Sequence, residues 1–276
     1  MSRETVKLGL LGHPVAHSLS PLLMLSLGRL ARRKIAYRAC DVAPEKLACA
    51  VELLRWSGML GCNVTVPHKV AVAPMLDQLT REARLVGAVN VVRCASNRLI
   101  GHNTDAAGCA DALREAGFKV GGCTAVIFGA GGAARAAACA LGRLGARKVT
   151  IAARRPEAAR SLARAMSRNF SATAFTPDRA AAADLAVNAT PLGLPGFAQS
   201  SPAPARWQGC SLALDMVYGR RTPFQRQARR LGARVLGGSG LLVFQALRSW
   251  EFWFGKLAAP RRAAWADRLL ETLLCA

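Results

Sequence analysis

Acidic residues are scarce in this chain of 276 residues: 16 Asp and Glu stand against 38 Lys and Arg, a formal net charge of +22. A pI near 11.1 directs attention first to polyanionic partners. Aromatic residues are equally scarce, at 6%, and are not interleaved with basic clusters as base-stacking surfaces require. The arginines are spread among alanines over the whole length, so we expect no nucleic-acid module. Long apolar runs are missing too. Residues 8–11 end at Gly12, His13 and Pro14, and the stretch 124–141 is rich in Gly and Ala and broken by Arg135. Neither suits a secretory signal or a membrane span, so we expect no membrane partner and a cytoplasmic location. Cysteine pairs are lacking in a different sense. The nine cysteines are scattered, odd in number and never spaced Cys-x-x-Cys, which favours reduced thiols over a disulfide framework. His13 and His17 have the spacing of a helical metal pair, but Pro14 between them disfavours that helix, and we expect no metal.

Apolar residues, at 52%, are ample for the cores of one large or two ordinary domains. Residues 6–11 read as a buried strand, 21–32 as a helix with Pro at its start, 35–42 as a strand, 44–57 as a helix stopped at Gly58, and 59–66 as a strand. Residues 70–84 read as mainly helical. From Thr124 the order becomes strand 124–128, Gly-rich turn, helix 133–144, strand 148–153 and helix 156–167, a βαβ unit that implies a parallel sheet. Further strands are expected at 185–188, 212–215 and 234–236. Two amphipathic helices, 240–256 and 261–274, finish the chain. The fold class is α/β: an N-terminal α/β domain followed by a Rossmann-type dinucleotide-binding domain.

The strand 124–128 leads into Gly129-Ala130-Gly131-Gly132-Ala133-Ala134, the dinucleotide fingerprint in its required strand-to-helix setting. Gly129 serves the tight turn, Gly131 lets backbone approach a pyrophosphate, and the helix N-terminus offers free N–H groups. At the end of the next strand an NAD site places an acid for the ribose 2′-hydroxyl, whereas this chain has Ala153, Arg154 and Arg155. Two guanidiniums suit a 2′-phosphate, so NADP is expected and NAD is the lesser choice.

Several short polar runs precede that unit. Residues 12–21 carry Ser18 and Ser20 before a helix start; one serine suffices as an N-cap, while two suit a carboxylate. Asn63-Val64-Thr65-Val66-Pro67-His68-Lys69 puts Asn63 and Thr65 on one strand face and lets Lys69 follow after the proline. Gly87-Ala88-Val89-Asn90 and Gly101-His102-Asn103-Thr104-Asp105 complete the series. In this order, ahead of the Gly-rich turn, the runs resemble the shikimate dehydrogenase family, which includes quinate dehydrogenases. The resemblance continues through Asn188-Ala189-Thr190-Pro191-Leu192-Gly193, Asp215-Met216-Val217-Tyr218 and Gly240-Leu241-Leu242-Val243-Phe244-Gln245.

The resemblance implies a substrate-binding catalytic domain at 1–106, an NADP-binding Rossmann domain at 107–237 and C-terminal helices at 238–276 that return to the first domain. It implies reversible reduction of 3-dehydroshikimate to shikimate, on the route to aromatic amino acids, with a small anionic ring acid as substrate and a monomer or homodimer as the assembly. By matching position, Lys69 and Asp105 would form the catalytic pair. Ser18, Ser20 and Tyr218 would hold the substrate carboxylate, with Asn63, Thr65, Asn90 and Gln245 around the ring hydroxyls. Gly129, Ala130, Gly131, Gly132, Ala133, Ala153, Arg154, Arg155, Thr190, Gly238 and Leu241 would line the cofactor. Ala153 and Ala106 stand where the family more often has Asn and Gly, so specificity for quinate, or NAD, is the alternative within the class. A nucleotide-binding regulator without turnover is the alternative outside it. The chemistry agrees with the pair, because hydride reduction of a ketone builds charge on oxygen that a nearby acid such as Lys69 must neutralise.

Overall fold

A computed structural model describes residues 4–166, 172–175, 183–205, 207–258, 265, 266 and 269. The chain divides into two compact units, one containing the residues up to Thr104 together with those from Val243, the other containing Asp105–Leu242.

The first unit runs β1 (Val6–Gly12), α1 (Ser20–Leu30), β2 (Ile35–Asp41), α2 (Leu47–Trp56), β3 (Gly61–Val64), β4 (Gln78–Leu79), α3 (Arg81–Val86), β5 (Val91–Ala95) and β6 (Arg98–His102). Its sheet has the order β2-β1-β3-β5-β6-β4, parallel from β2 to β3 and antiparallel through β5 and β6. Leu47, Val51 and Leu54 lie four and three residues apart on α2 and bury one face against Cys62, Val64 and Val92 of the sheet. β5 and β6 join through Ser96 and Asn97, both at positive φ, the backbone of a two-residue hairpin turn.

Residues 70–84 are not mainly helical. Pro74 sits in a short 3-10 turn at Ala73–Met75, β4 follows, and only α3 is α-helical, capped by the Thr80 hydroxyl accepting from Ala83 N–H. Tertiary bonds decide this. Asp77 accepts from Leu99 N–H and from Arg55, and Thr80 N–H donates to Gly101 C=O, which holds the segment extended against β6.

The second unit runs α4 (Asp105–Glu115), β7 (Thr124–Phe128), α5 (Gly132–Arg143), β8 (Lys148–Ala152), α6 (Pro156–Met166), β9 (Ala172–Phe175), β10 (Leu185–Asn188), β11 (Leu212–Asp215), α7 (Pro223–Arg230) and β12 (Arg234–Leu236). α8 (Gly238–Phe254) begins in this unit and ends in the first. The sheet is wholly parallel in the order β12-β11-β10-β7-β8-β9, the doubly wound arrangement whose direction reverses between β7 and β10.

Both faces of this sheet are covered, which is why its strands read as continuous apolar runs. Ala125 and Ile127 face the cluster built by Ala134, Ala137, Ala138 and Leu141 of α5, whereas Val126 and Phe128 face Trp207, Phe224 and Ala228. Trp207 and Phe224 stack at 5.8 Å. Alanines along α5 let the helix axis come close to the strands. The expected final helix, 261–274, lies almost entirely outside the described residues.

Candidate active site

In the first unit the polar runs converge on a buried hydrogen-bonded cluster. Asn63, at the end of β3, donates through Nδ2 to Ser249 Oγ at 3.0 Å and to Asn90 C=O at 3.2 Å, and its Oδ1 accepts from Tyr37 OH at 2.9 Å. Asn90 donates to Thr104 Oγ1 at 2.8 Å and to Gln245 Oε1 at 3.4 Å. Thr104 and Ser249 hydroxyls are 3.1 Å apart. Asn63, Asn90 and Gln245 are thus brought together, with Tyr37, Thr104 and Ser249 as supports that sequence reasoning missed. Gln245 and Ser249 sit four residues apart on α8, so one helix face supplies both; that spacing was the available signal.

The remaining residues of the first unit lie around this cluster's edge. Thr65 follows β3, its N–H donating to Leu11 C=O at 2.8 Å, and a Cβ added to Gly12 would meet Thr65 Cγ2 at 2.2 Å. Only glycine permits that approach, which places the run beginning at Gly12 against the run beginning at Asn63. Lys69 is half-buried, and its carbonyl accepts from Val89 N–H at 2.7 Å, tying it to the strand entry that carries Asn90. Ser18 accepts Ser20 N–H at 3.3 Å, while the N-cap of α1 is Leu19 without a side-chain cap. His13 does not face His17 in a helix; its Nδ1 pairs with Asp41.

In the second unit Asp105 is buried as the first residue of α4, where free N–H groups and the helix dipole favour a negative charge. One turn on, burial and the Asp105 charge push the Cys109 thiol up to about 12, so that thiol packs rather than reacts. The glycine turn lies at the reversal point of the sheet. Gly129 has φ +115°, and a Cβ there would stand 2.9 Å from Ala189 C=O, so glycine alone lets the turns after β7 and β10 meet. A Cβ on Gly131 would touch nothing within 4 Å; that glycine is dispensable to packing and leaves the N-terminus of α5 open.

The residues present fit a dinucleotide. The first turn of α5 has no side-chain cap, and Arg135 of that turn carries a buried Nε–H without a hydrogen-bond partner among the described residues. Burial pushes the Arg135 pKa down, the mark of a cation held out of water where an anionic group would offset the cost. Ala130, Ala133 and Leu241 pack on one cluster, and Gly238 is pressed against Met216 and Val217, whose backbone atoms a Cβ would meet at 2.7–2.8 Å. Thr190 donates by N–H and hydroxyl to Asn188 Oδ1 at 3.0 and 2.7 Å. Ala153 is buried at the end of β8, and Arg154 and Arg155 follow it exposed.

Asp215, at the end of β11, is fully buried. Burial raises its pKa, opposed by bonds from Thr222, Val217 N–H, Gln225 and Asn188. Asn188, Asp215 and Thr222 form a second polar cluster that sequence reasoning did not assign to the site. Its signal was a polar residue ending each of two buried apolar strands.

Comparison with known proteins gives a consistent picture. The model of the shikimate dehydrogenase substrate-binding domain matches residues 10–92, and that of shikimate/quinate 5-dehydrogenase matches 111–201. A shikimate dehydrogenase (NADP(+)) of Symbiobacterium thermophilum is 40% identical over 270 residues, covering 90% of this chain and 89% of that protein. The crystal structure of shikimate 5-dehydrogenase from Thermus thermophilus in complex with NADP(H) and shikimate aligns at TM-score 0.81 with 34% identity, over 96% of this chain and 100% of that one. The ligand-free 5-ketofructose reductase of Gluconobacter sp. strain CHM43 aligns at TM-score 0.79 with 31% identity, over 98% and 99%. Two buried polar clusters, a glycine turn at the reversal of a doubly wound sheet and similarity along nearly the whole chain lead to one conclusion: this chain belongs to the shikimate dehydrogenase family.

Proposed function

We propose that this chain is an NADP-dependent dehydrogenase that interconverts 3-dehydroshikimate and shikimate. The observation that carries the reading is the occurrence, in a member of this family, of buried Asn63 and Asn90 joined to half-buried Gln245, together with an uncapped glycine turn. Amide and hydroxyl side chains held in fixed orientation by one another suit recognition of a polyhydroxylated ligand.

When bound, the nicotinamide supplies or takes up the hydride. Lys69 donates a proton to the oxygen on which negative charge develops, and in the reverse direction it removes the hydroxyl proton. Asp105 is the carboxylate assigned to this step, its role being to accept a hydrogen bond from a ring hydroxyl and so to orient it. Ser18, Ser20 and Tyr218 donate to the ring carboxylate, and Asn63, Thr65, Asn90 and Gln245 read the hydroxyls. Gly129, Ala130, Gly131, Gly132 and Ala133 would present backbone to the pyrophosphate, and Thr190, Gly238 and Leu241 would line the cofactor. Arg154 and Arg155 take the 2′-phosphate, where Ala153 offers no carboxylate to prefer a 2′-hydroxyl. The net charge of +22 raises the local concentration of anionic substrate and cofactor. We place the reaction in the cytoplasm.

The test is the change in nicotinamide absorbance with shikimate and quinate, each against NADP and NAD. Shikimate with NADP is expected to be fastest. A preference for quinate or NAD overturns the specificity, and no turnover in any combination overturns the enzyme reading. A second reading, reduction of another polyhydroxylated ketone, is favoured by the 5-ketofructose reductase neighbour, and adding that ketone to the same assay decides it.

A further inference from the structure

We infer that Asp215 is a positioning residue that sets the Tyr218 turn and the Asn188–Thr190 turn relative to each other, an inference that rests on the function proposed above. Its carboxylate is fully buried at the end of β11. Oδ1 accepts from Asn188 Nδ2 at 2.9 Å and from Val217 N–H at 3.1 Å, and Oδ2 accepts from the Thr222 hydroxyl. The Gln225 side chain also bonds to it.

Asn188 and Val217 each belong to a segment that carries a proposed site residue. Asn188 orients Thr190, because its Oδ1 accepts both the N–H and the hydroxyl of that threonine, whose own Oγ1 accepts Leu192 N–H at 3.3 Å. Val217 immediately precedes Tyr218, and its carbonyl accepts Gly238 N–H at 3.2 Å. Thr222 also accepts Gln225 N–H at 3.1 Å and so starts α7. Its methyl group lies where a side chain on Gly193 would fall, at 2.9 Å. One carboxylate therefore ties the turn after β10, the turn after β11 and the start of α7 to a single point.

A purely architectural need would not select this residue. An apolar side chain of similar size ends a buried strand at lower desolvation cost, whereas only an acceptor with several lone pairs can hold donors from three segments at once. Displacing the Tyr218 turn moves a hydroxyl that meets the substrate carboxylate, and displacing Thr190 moves a wall of the cofactor site.

The experiment compares the wild type with Asp215→Asn, by steady-state kinetics and by fluorescence titration with NADPH. The amide keeps the shape and one acceptor oxygen. The Michaelis constant for shikimate and the NADPH dissociation constant are each expected to rise ~10-fold, with a smaller change in kcat, as for binding groups moved by a fraction of an ångström. In a Tyr218→Phe background the same substitution is expected to raise the shikimate constant by less than ~2-fold, because no tyrosine hydroxyl remains to be misplaced, while the NADPH effect persists. Unchanged constants in a folded variant, or effects that multiply fully with Tyr218→Phe, overturn the inference. Should Asp215→Asn fail to fold, Thr222→Val, which keeps the branched shape and removes one donor, is read by the same measurements. If the wild type does not turn over shikimate, the proposed function fails. Hydrogen exchange at Val217 and Thr190 N–H, with NADPH binding, still reads whether Asp215 holds the two turns.

Discussion

Asn90 and Thr104 are tied to each other twice: the Thr104 N–H donates to Asn90 Oδ1 at 2.8 Å, and Asn90 Nδ2 donates to the Thr104 hydroxyl at 2.8 Å. Both side chains are buried, and the residue after Thr104 is Asp105. A side chain proposed to read the substrate ring therefore also fixes the backbone immediately before Asp105, the carboxylate proposed for catalysis. Asn90→Ala takes the acceptor from the buried Thr104 N–H and one of the two partners from the Thr104 hydroxyl, a cost of about 1–3 kcal/mol. Urea unfolding is expected to show that loss, and kcat for shikimate is expected to fall further than NADPH affinity. Equal losses of kcat and NADPH affinity would contradict this account.

Lys69→Ala removes the proposed proton donor while leaving the residue-69 carbonyl, and its bond from Val89 N–H, in place. Turnover is expected to fall ~10²–10⁴-fold, the usual worth of general acid–base catalysis, with NADPH binding by fluorescence unchanged. Near-normal turnover would remove Lys69 from the mechanism.

Gly129→Ala places a Cβ at φ +115° and 2.9 Å from Ala189 C=O. Strain of about 1–3 kcal/mol at such a position is expected to lower the melting temperature and to weaken NADPH binding, because the turns after β7 and β10 can no longer meet. Gly131→Ala, whose Cβ would touch nothing within 4 Å, separates the two effects. It is expected to leave the melting temperature unchanged while still weakening NADPH, by occupying space in front of α5.

The half-buried position of His102 implies a pH dependence of stability. Its ring is stacked 4.7 Å from Phe252 and its Nδ1 meets the Thr80 hydroxyl at 2.8 Å. Burial lowers its pKa from 6.5, with Glu82 opposing. The unfolded chain therefore binds the proton at higher pH than the folded one. The stability is complete above about 6.5 and is lost as the pH falls through that value toward the folded pKa. The urea midpoint of the wild type is expected to drop between pH 7.5 and pH 5.5, and to drop less in His102→Asn. An equal drop in both would assign the dependence to other groups.

Much of the second unit was legible in the sequence because its signals are local. A parallel strand covered on both faces must be apolar throughout, so 124–128, 185–188, 212–215 and 234–236 stand out as short runs. The turn at Gly129 is visible because a tight strand-to-helix turn at φ +115° excludes side chains. The β5–β6 hairpin escaped notice because its turn is Ser96-Asn97 rather than Asn-Gly, and nothing local requires those residues to take positive φ. Residues 70–84 were misread because helical spacing of apolar residues is only a weak prior beside the bonds that Asp77 and Thr80 make to β6. Within the candidate site, the sequence named Asn63, Asn90 and Gln245 but not Tyr37, Thr104 or Ser249, which hydrogen-bond within the same cluster, since a supporting hydroxyl looks like any other until its partner's position is known.

What the sequence by itself determined is the inventory of chemistry: a lysine, an aspartate, a set of small polar residues and a glycine turn, each in a setting defined within about ten residues. What the tertiary structure alone decided is which of these share hydrogen bonds. Asn63 and Ser249 meet across 186 positions of sequence, and Asn90 and Gln245 across 155. The physical reason is range. Periodicity and turn propensity act over a few residues, whereas a hydrogen bond is satisfied by whichever donor the packing of whole strands and helices brings within about 3 Å.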